Sequence, residues 1–300
     1  IKRVIHTTAD FSYAESLCFS ENAVELALDA IKNGASIVTD TNMGKSGINK
    51  KALEKAMEAG ILVVPATGRV YSTLPESVKN LPGVKYVLSS NGAAVYHVGE
   101  KNPIYTNFMS VEKALEIYRA IKEVHCIKEF YINGYGYFEK KLLDYIDTFN
   151  ILPVFRKFYG IQKLAVEDME EFIKQNKNGV EKINLPWITS ELRAELLQCL
   201  CSVNNIAITS SLGENIELNN KGANKGDGLK GLCRIIGLDM SEVMAFGDGG
   251  NDLEMIAEAG YGIAMANGEQ EIKQKAKFIT LSNDEDGVAY AIEKFCFSKS

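Results

Sequence analysis

The sequence predicts an α/β protein of two units: a core built on a parallel sheet, and an inserted α+β unit covering the carboxyl ends of its strands. Three observations predict it. The chain has 300 residues, more than one ordinary core accommodates and enough for two domains or one domain with a large insertion. From 36 to 100 and again from 222 to 292, short apolar runs alternate with amphipathic helical stretches closed by glycine, the pattern of βαβ units. Between these halves, from about 100 to 215, the texture changes to a mixture rich in Tyr, Phe, Lys and Glu, which reads as a separate α+β layer.

The elements follow in order. Residues 1–35 form an N-terminal helical segment in which Ser20 caps the helix ENAVELALDAIKN, ended by Gly34. The first half of the core, 36–98, opens with strand SIVTD ending at Asp40. Helix NKKALEKAMEA up to Gly60, strand ILVVPAT, a short helix near PESVKN and strand KYVLSS ending at Asn91-Gly92 complete it. The cap, 99–215, holds helix SVEKALEIYRAIKEV and strands EFYING, KLAVE and NIAITSS. The second half of the core, 216–300, runs helix KGDGLKGLCRII, strand EVMAFGD, helix NDLEMIAEA before Gly260, strands GIAMA and FITL, and helix DGVAYAIEKF. In such sheets ligands bind beyond the carboxyl ends of the strands.

Composition narrows the function classes. Hydrophobic residues make up 46% and charged residues 24% of the chain, as in globular proteins, and no apolar run approaches the roughly 20 residues that span a bilayer. A membrane partner is not expected. A net charge of -6, with basic residues scattered among acids, argues against nucleic acid, whose phosphates call for a basic stripe. The six cysteines, at 18, 126, 199, 201, 233 and 296, include one Cys-x-Cys pair and no Cys-x-x-Cys; they read as reduced thiols in a cytoplasmic protein. His97 and His125 suggest no metal cluster.

Polar residues collect at the expected strand ends: Asp40, then Thr67-Gly68-Arg69, then Lys225 at a helix start, then GDGGND with Asp248, Asn251 and Asp252. Taken alone, Asp40 is a nucleophile, a metal ligand or the polar edge of a turn. As a set these residues suit phosphoryl transfer, which needs a carboxylate to attack phosphorus, a divalent cation to offset the anions, and donors for the non-bridging oxygens. Asp40 and Asp248 can share Mg²⁺, which prefers carboxylate and carbonyl oxygens with several waters. The Thr67 hydroxyl, the Gly68 amide, Asn251 and the Lys225 ammonium then hold phosphate. Asp252 supports the metal's water shell or Lys225, and Arg69 either touches substrate or braces its loop.

VVPATGR, GANKGDGLKGL and AFGDGGNDLEMIAEAGYGIAMANG resemble the second, third and fourth motifs of the haloacid dehalogenase (HAD) superfamily, specifically its Cof-type (IIB) phosphatases. SSNGAAVY at 89 to 96 and the closing KFITLSNDEDGVAYAIEKF match the same type, so the resemblance covers roughly residue 56 to the end. It implies a Rossmann-like core, a mobile α+β cap, Mg²⁺, and hydrolysis of a small phosphorylated substrate of sugar phosphate type through an aspartyl-phosphate. The family's first motif is Asp-x-Asp-Gly-Thr; here Asp40-Thr41-Asn42-Met43-Gly44 stands in its place. The nucleophile position is kept. Asn42 occupies the position of the acid that protonates the leaving alcohol, which an amide cannot do, although its backbone carbonyl can still reach the metal. The segment from Asp40 to the helix at 49 is also shorter than the family's flap.

Residues 1 to about 55 resemble part of precorrin-8X methylmutase, a corrin-ring isomerase, in which the histidine of an RVIHTTAD-like motif handles the proton; here that is His6. The resemblance implies a junction in which an isomerase fragment supplies the strand and helix of the phosphatase's first motif. Three activities follow as expectations: an impaired phosphatase, a non-catalytic phospholigand-binding protein, and a corrin isomerase fragment. Neither the particular substrate nor the oligomeric state is written in the sequence.

Overall fold

The computed structural model describes residues 50–149, 151, 156, 159–210 and 215–297; Asp40, Asn42, His6 and the segment 1–35 lie outside them. The described chain begins in helix α1 (Lys50–Glu58), where Ala56 packs with Met265, Val288 and Ile292. The strand expected over ILVVPAT is reduced to one parallel bridge, Ala66 to Leu88, flanked by Thr67 N donating to Leu88 O at 3.0 Å and Leu88 N to Pro65 O at 2.9 Å. Pro65 is the reason: the ladder would next need its amide hydrogen, which proline lacks. Strands β1 (Tyr86–Ser89), β2 (Ala94–His97) and β3 (Tyr105–Thr106) form an antiparallel sheet in that order. KYVLSS therefore opens a hairpin rather than joining only parallel neighbours, and Ser90 and Asn91 turn it with φ of 54° and 59°.

The cap is organised by strict alternation. It contains α2 (Val111–Ile121), β4 (Glu129–Ile132), β5 (Tyr135–Glu139), β6 (Lys163–Val166), α3 (Met169–Gln175), β7 (Lys182–Pro186), α4 (Ser190–Leu200), β8 (Ile206–Thr209) and β9 (Asn215–Asn220). The strands make one six-stranded mixed sheet, order β6-β5-β4-β7-β9-β8. Phe130, Ile132, Ile183, Leu185, Ile216 and Leu218 point to one face and join Ile117, Tyr118, Ile173 and Leu196 of the helices in the largest apolar cluster. Successive strand residues point to opposite faces, so Glu129, Tyr131, Lys182, Asn184, Asn215, Glu217 and Asn219 share the other. That face is not a solvent face: Glu129, Lys182, Asn215, Glu217 and Asn219 are all buried. β9 is an inner strand of this sheet, so the boundary read at 216 falls inside it, and β3 still pairs with the core hairpin beyond the boundary read at 98.

The chain then returns to the core. α5 (Lys225–Ile236) is capped by Asn224, whose Oδ1 accepts from Asp227 N at 2.8 Å, and ends at left-handed Gly237. β10 (Met244–Gly247), α6 (Leu253–Glu258), β11 (Tyr261–Ala264), α7 (Gln270–Lys275), β12 (Phe278–Ile279) and α8 (Gly287–Ile292) follow, with β10 parallel to β11 and β11 parallel to β12. Leu229, Leu232, Ala245, Met255 and Ile256 pack on Leu88 and Val95 and hold the two halves of the core together. The result is a Rossmann-type α/β core with an inserted α+β cap.

Candidate active site

Three loops meet beneath the polar face of the cap. The first, Thr67-Gly68-Arg69, follows the single bridge to β1. Buried Thr67 accepts through its carbonyl from Asn91 N at 3.1 Å, and its Oγ1 accepts from Arg69 N at 3.1 Å. Gly68 is glycine because Asn91 lies against it: a Cβ there would stand 2.7 Å from Asn91 Oδ1. The second is the start of α5. Gly92, at φ +85°, presses so closely on it that a Cβ would meet Asn224 O at 2.1 Å. The third is GDGGND after β10, tightened by Asp252, whose Oδ2 accepts from Asp248 N at 3.2 Å and Gly249 N at 3.3 Å.

Contacts join the loops. Buried Lys225 donates to Asp252 Oδ1 at 2.6 Å, tying the helix start to the GDGGND turn. Asn251 Nδ2 donates to Asn91 Oδ1 at 3.3 Å, tying that turn to the hairpin and, through Gly68, to the first loop. Thr67, Gly68, Lys225, Asp248, Asn251 and Asp252 thus belong to one connected set. Arg69 stands near Tyr131 of the cap, a phenol that burial and then the Glu129 charge push far up while Arg69 opposes the rise. Asp40 and Asn42 lie outside the described residues.

Asp252 places one oxygen on Lys225 and the other on the loop amides. Asp248 differs. It is half-buried, and burial first, then the Asp252 charge, raise its proton affinity above that of an ordinary aspartate. Among the described residues no group of three His, Cys, Asp or Glu forms a metal cage. What the described residues offer a cation is one hard, electrostatically strained carboxylate, which fits an ion such as Mg²⁺ that binds through one or two carboxylates and keeps several waters.

Sequence reasoning missed the cap's share of the site. Lys182 Nζ donates to Glu217 Oε1 at 2.7 Å and to the Gly68 carbonyl at 2.9 Å, and Glu217 Oε2 accepts from Asn91 Nδ2 at 3.0 Å. Burial pushes the Glu217 carboxyl up, but the Lys182 charge and hydrogen bonds from Lys182 and Asn91 outweigh it and leave the group below the usual range. Beside it, Ser90 Oγ donates to Glu181 Oε2 at 2.7 Å and Asn219 Nδ2 to Ser90 O at 3.3 Å. Asp227 accepts from Tyr105 at 2.6 Å and Asn107 at 2.8 Å; burial and this contact push the Tyr105 phenol up to about 12. The only sequence signal was SSNGAAVY, which placed Asn91 and Gly92 without assigning them a partner.

A Rossmann-type core with a lysine–aspartate pair and a glycine-rich acidic turn at its strand ends, covered by a cap, defines a hydrolase of a recognisable class. The chain belongs to the haloacid dehalogenase-like hydrolases, the family that matches residues 37–292. Over 269 residues, 90% of this chain and 95% of the relative, it is 29% identical to 5-amino-6-(5-phospho-D-ribitylamino)uracil phosphatase YcsE of Bacillus subtilis (strain 168). Phosphatase YwpJ of the same organism is 26% identical over 264 residues, 82% of this chain and 91% of the relative. Among solved structures, a haloacid dehalogenase-like hydrolase from Bacteroides thetaiotaomicron superposes with TM-score 0.67 at 30% identity, covering 86% of this chain and 96% of that one. The HAD subclass IIB sugar phosphatase BT4131 superposes with TM-score 0.63 at 25% identity, covering 82% and 89%.

The family match begins at 37, earlier than the 56 read from motifs alone. The stretch that carries Asp40 therefore lies within the span matched by the hydrolase family, and the resemblance of residues 1 to about 55 to an isomerase is left without support. His6 lies outside both the match and the described residues, and no observation supports a corrin-handling role for it. Among the described residues, no helix is long and apolar enough to cross a membrane.

Proposed function

We propose that this hydrolase is a Mg²⁺-dependent phosphatase acting on a small phosphorylated metabolite of sugar phosphate type. The observation that carries the reading is the connected set of Lys225, Asp252, Asn251, Asn91 and Gly68, which gathers donors from three separate loops on one spot; the names of the relatives point the same way. In this reading the Asp40 carboxylate forms a bond to phosphorus as the ester P–O bond breaks, and water later cleaves the aspartyl-phosphate. Thr67, the Gly68 amide, Asn251 and Lys225 hold the non-bridging oxygens, and Arg69 meets the substrate at the cap side. Asp40, the Asn42 carbonyl and Asp248 would hold Mg²⁺, with Asp252 supporting its water shell or Lys225; the cation would supply charge neutralisation. The chain would divide into 1–35, a core of 36–98 and 216–300 and a cap of 99–215, with β3 pairing on the core side and β9 on the cap side of these boundaries.

Asn42 favours one alternative, a phospholigand-binding protein without turnover. The test is hydrolysis of p-nitrophenyl phosphate with Mg²⁺ and with EDTA. Asp40→Asn should abolish the Mg²⁺-dependent rate, and Asn42→Asp should raise it by about 10²-fold, the lower end of what general acid–base help supplies. Unchanged activity in Asp40→Asn overturns the nucleophile; binding of inorganic phosphate with no turnover in either parent or Asn42→Asp establishes the alternative.

A further inference from the structure

Buried ion pairs are poor stabilisers, since two apolar side chains of the same volume usually serve as well or better. The pair Lys182–Glu217 is buried at both ends, 6% and 5% exposed, and its two members sit on adjacent cap strands β7 and β9. Both also reach out of the cap. The Lys182 ammonium spends one hydrogen on Glu217, one on the carbonyl of Gly68, which is 114 positions away in the chain, and stands 5.1 Å from the centre of the Tyr131 ring. Glu217 spends its second oxygen on Asn91, and Asn91 accepts in turn from Asn251 and fills the space that a Cβ on Gly68 would take. Lys182 thus ends on the loop that presents Gly68, and Glu217 on the hairpin turn whose Asn91 receives the Asn251 side chain. Beside them Ser90, Glu181 and the Gly134 amide form a second cap-to-core link.

We propose that Lys182 and Glu217 are positioning residues for the reaction, a charged brace by which the seated cap sets the Gly68 amide and the Asn251 side chain at the phosphate-binding position. The inference rests on the phosphatase reading for what is positioned, but the brace itself is a statement about two loops. A carbonyl held by an ammonium fixes the Gly68–Arg69 peptide plane and, through the shared Gly68 Cα, restricts the preceding plane that carries the Gly68 amide. An error of about 1 Å in such placement costs about 10²-fold in rate.

The full-length chain tests this in two arms. In the first, amide hydrogen exchange is followed at Thr67, Arg69 and Asn91 in the parent, Lys182→Met, Lys182→Arg and the double variant Lys182→Met/Glu217→Gln, which leaves no unpaired buried charge if the single variant folds poorly. Exchange should speed up about 10-fold in the Met variants, since these amides then open without the brace, and Lys182→Arg should hold it near the parent. In the second arm, p-nitrophenyl phosphate hydrolysis should lose about 10²-fold in kcat with a smaller change in KM, restored in part by Lys182→Arg. Unchanged exchange overturns the brace whatever the activity, and faster exchange with unchanged kcat overturns its role in the reaction. If the parent shows no Mg²⁺-dependent hydrolysis, the phosphatase reading falls and the first arm alone decides the brace.

Discussion

Glu129 gathers four polar partners on the cap. It is fully buried, yet Tyr131 at 2.9 Å, Tyr159 at 2.5 Å, Asn184 at 2.9 Å and Lys163 all donate to its two oxygens. Burial alone pushes a carboxyl up; here the Lys163 charge and the surrounding donors outweigh it and hold Glu129 below its ordinary value. Its contribution to stability is therefore present above the unfolded carboxyl pKa, about 4.3, and is lost as pH falls through the lower folded value. Glu181 runs the other way: burial outweighs the Ser90, Gly134 and Lys182 contacts and raises it, so its contribution is present at acid pH and lost as pH rises through the raised value. Glu129→Gln should destabilise at pH 7 by about 3 kcal/mol, the cost of breaking a buried pair, with the deficit nearly constant down to about pH 4 and shrinking below it. Glu181→Gln should cost least at pH 8. Urea denaturation of both variants across that range checks the signs, and a Glu129→Gln deficit that grows on acidification would contradict the assignment.

At the scale of elements, the turn between β1 and β2 shows why one glycine outweighs another. Gly92 combines φ +85° with a Cβ position 2.1 Å from the Asn224 carbonyl, whereas Gly222 has φ +84° with nothing within 4 Å. Gly222→Ala should cost only the left-handed backbone penalty of about 1–2 kcal/mol. Gly92→Ala should cost that plus the clash, about 3–5 kcal/mol together, and should displace the start of α5 with Lys225; urea unfolding of both variants measures the difference. α5 itself was legible from end to end, because the Asn224 cap and the Gly237 stop are local chemistry. The strands at β10 and β11 were legible from their apolar runs. The strand over ILVVPAT was not, since the one missing hydrogen of Pro65 matters only once its partner is known to be Tyr86. Nor was the position of β9: alternation in NIELNN reads as one wet and one dry face, and nothing local says that Asn215, Glu217 and Asn219 face buried polar loops instead of water.

At the scale of the molecule, the site exists because parallel strands deliver their carboxyl ends to one edge and the cap's polar face closes on them. Thr67, Lys225 and Asp248 come from distant parts of the chain, and their grouping was readable because each motif announces its own strand end or helix start. The cap's contribution was not, because Lys182 and Glu217 matter through partners in the core. The same edge sets up an electrostatic imbalance. Asp248 keeps its carboxylate half-buried beside Asp252, with Glu269 adding further repulsion and Lys225 offsetting part of it. A cation binding the native state and not the unfolded chain stabilises by mass action, about 2.7 kcal/mol at 100 times its dissociation constant, or several degrees in Tm for a chain of this size. If Asp248 belongs to the proposed Mg²⁺ site, thermal melting of the parent should shift upward from EDTA to excess MgCl₂, and Asp248→Asn should abolish the shift. The same substitution removes the buried repulsion, so in EDTA Asp248→Asn should melt no lower than the parent and by this argument somewhat higher. A variant that keeps the full Mg²⁺ shift places the cation elsewhere, and one that melts well below the parent in EDTA means that Asp248 is held by contacts stronger than the repulsion assigned to it.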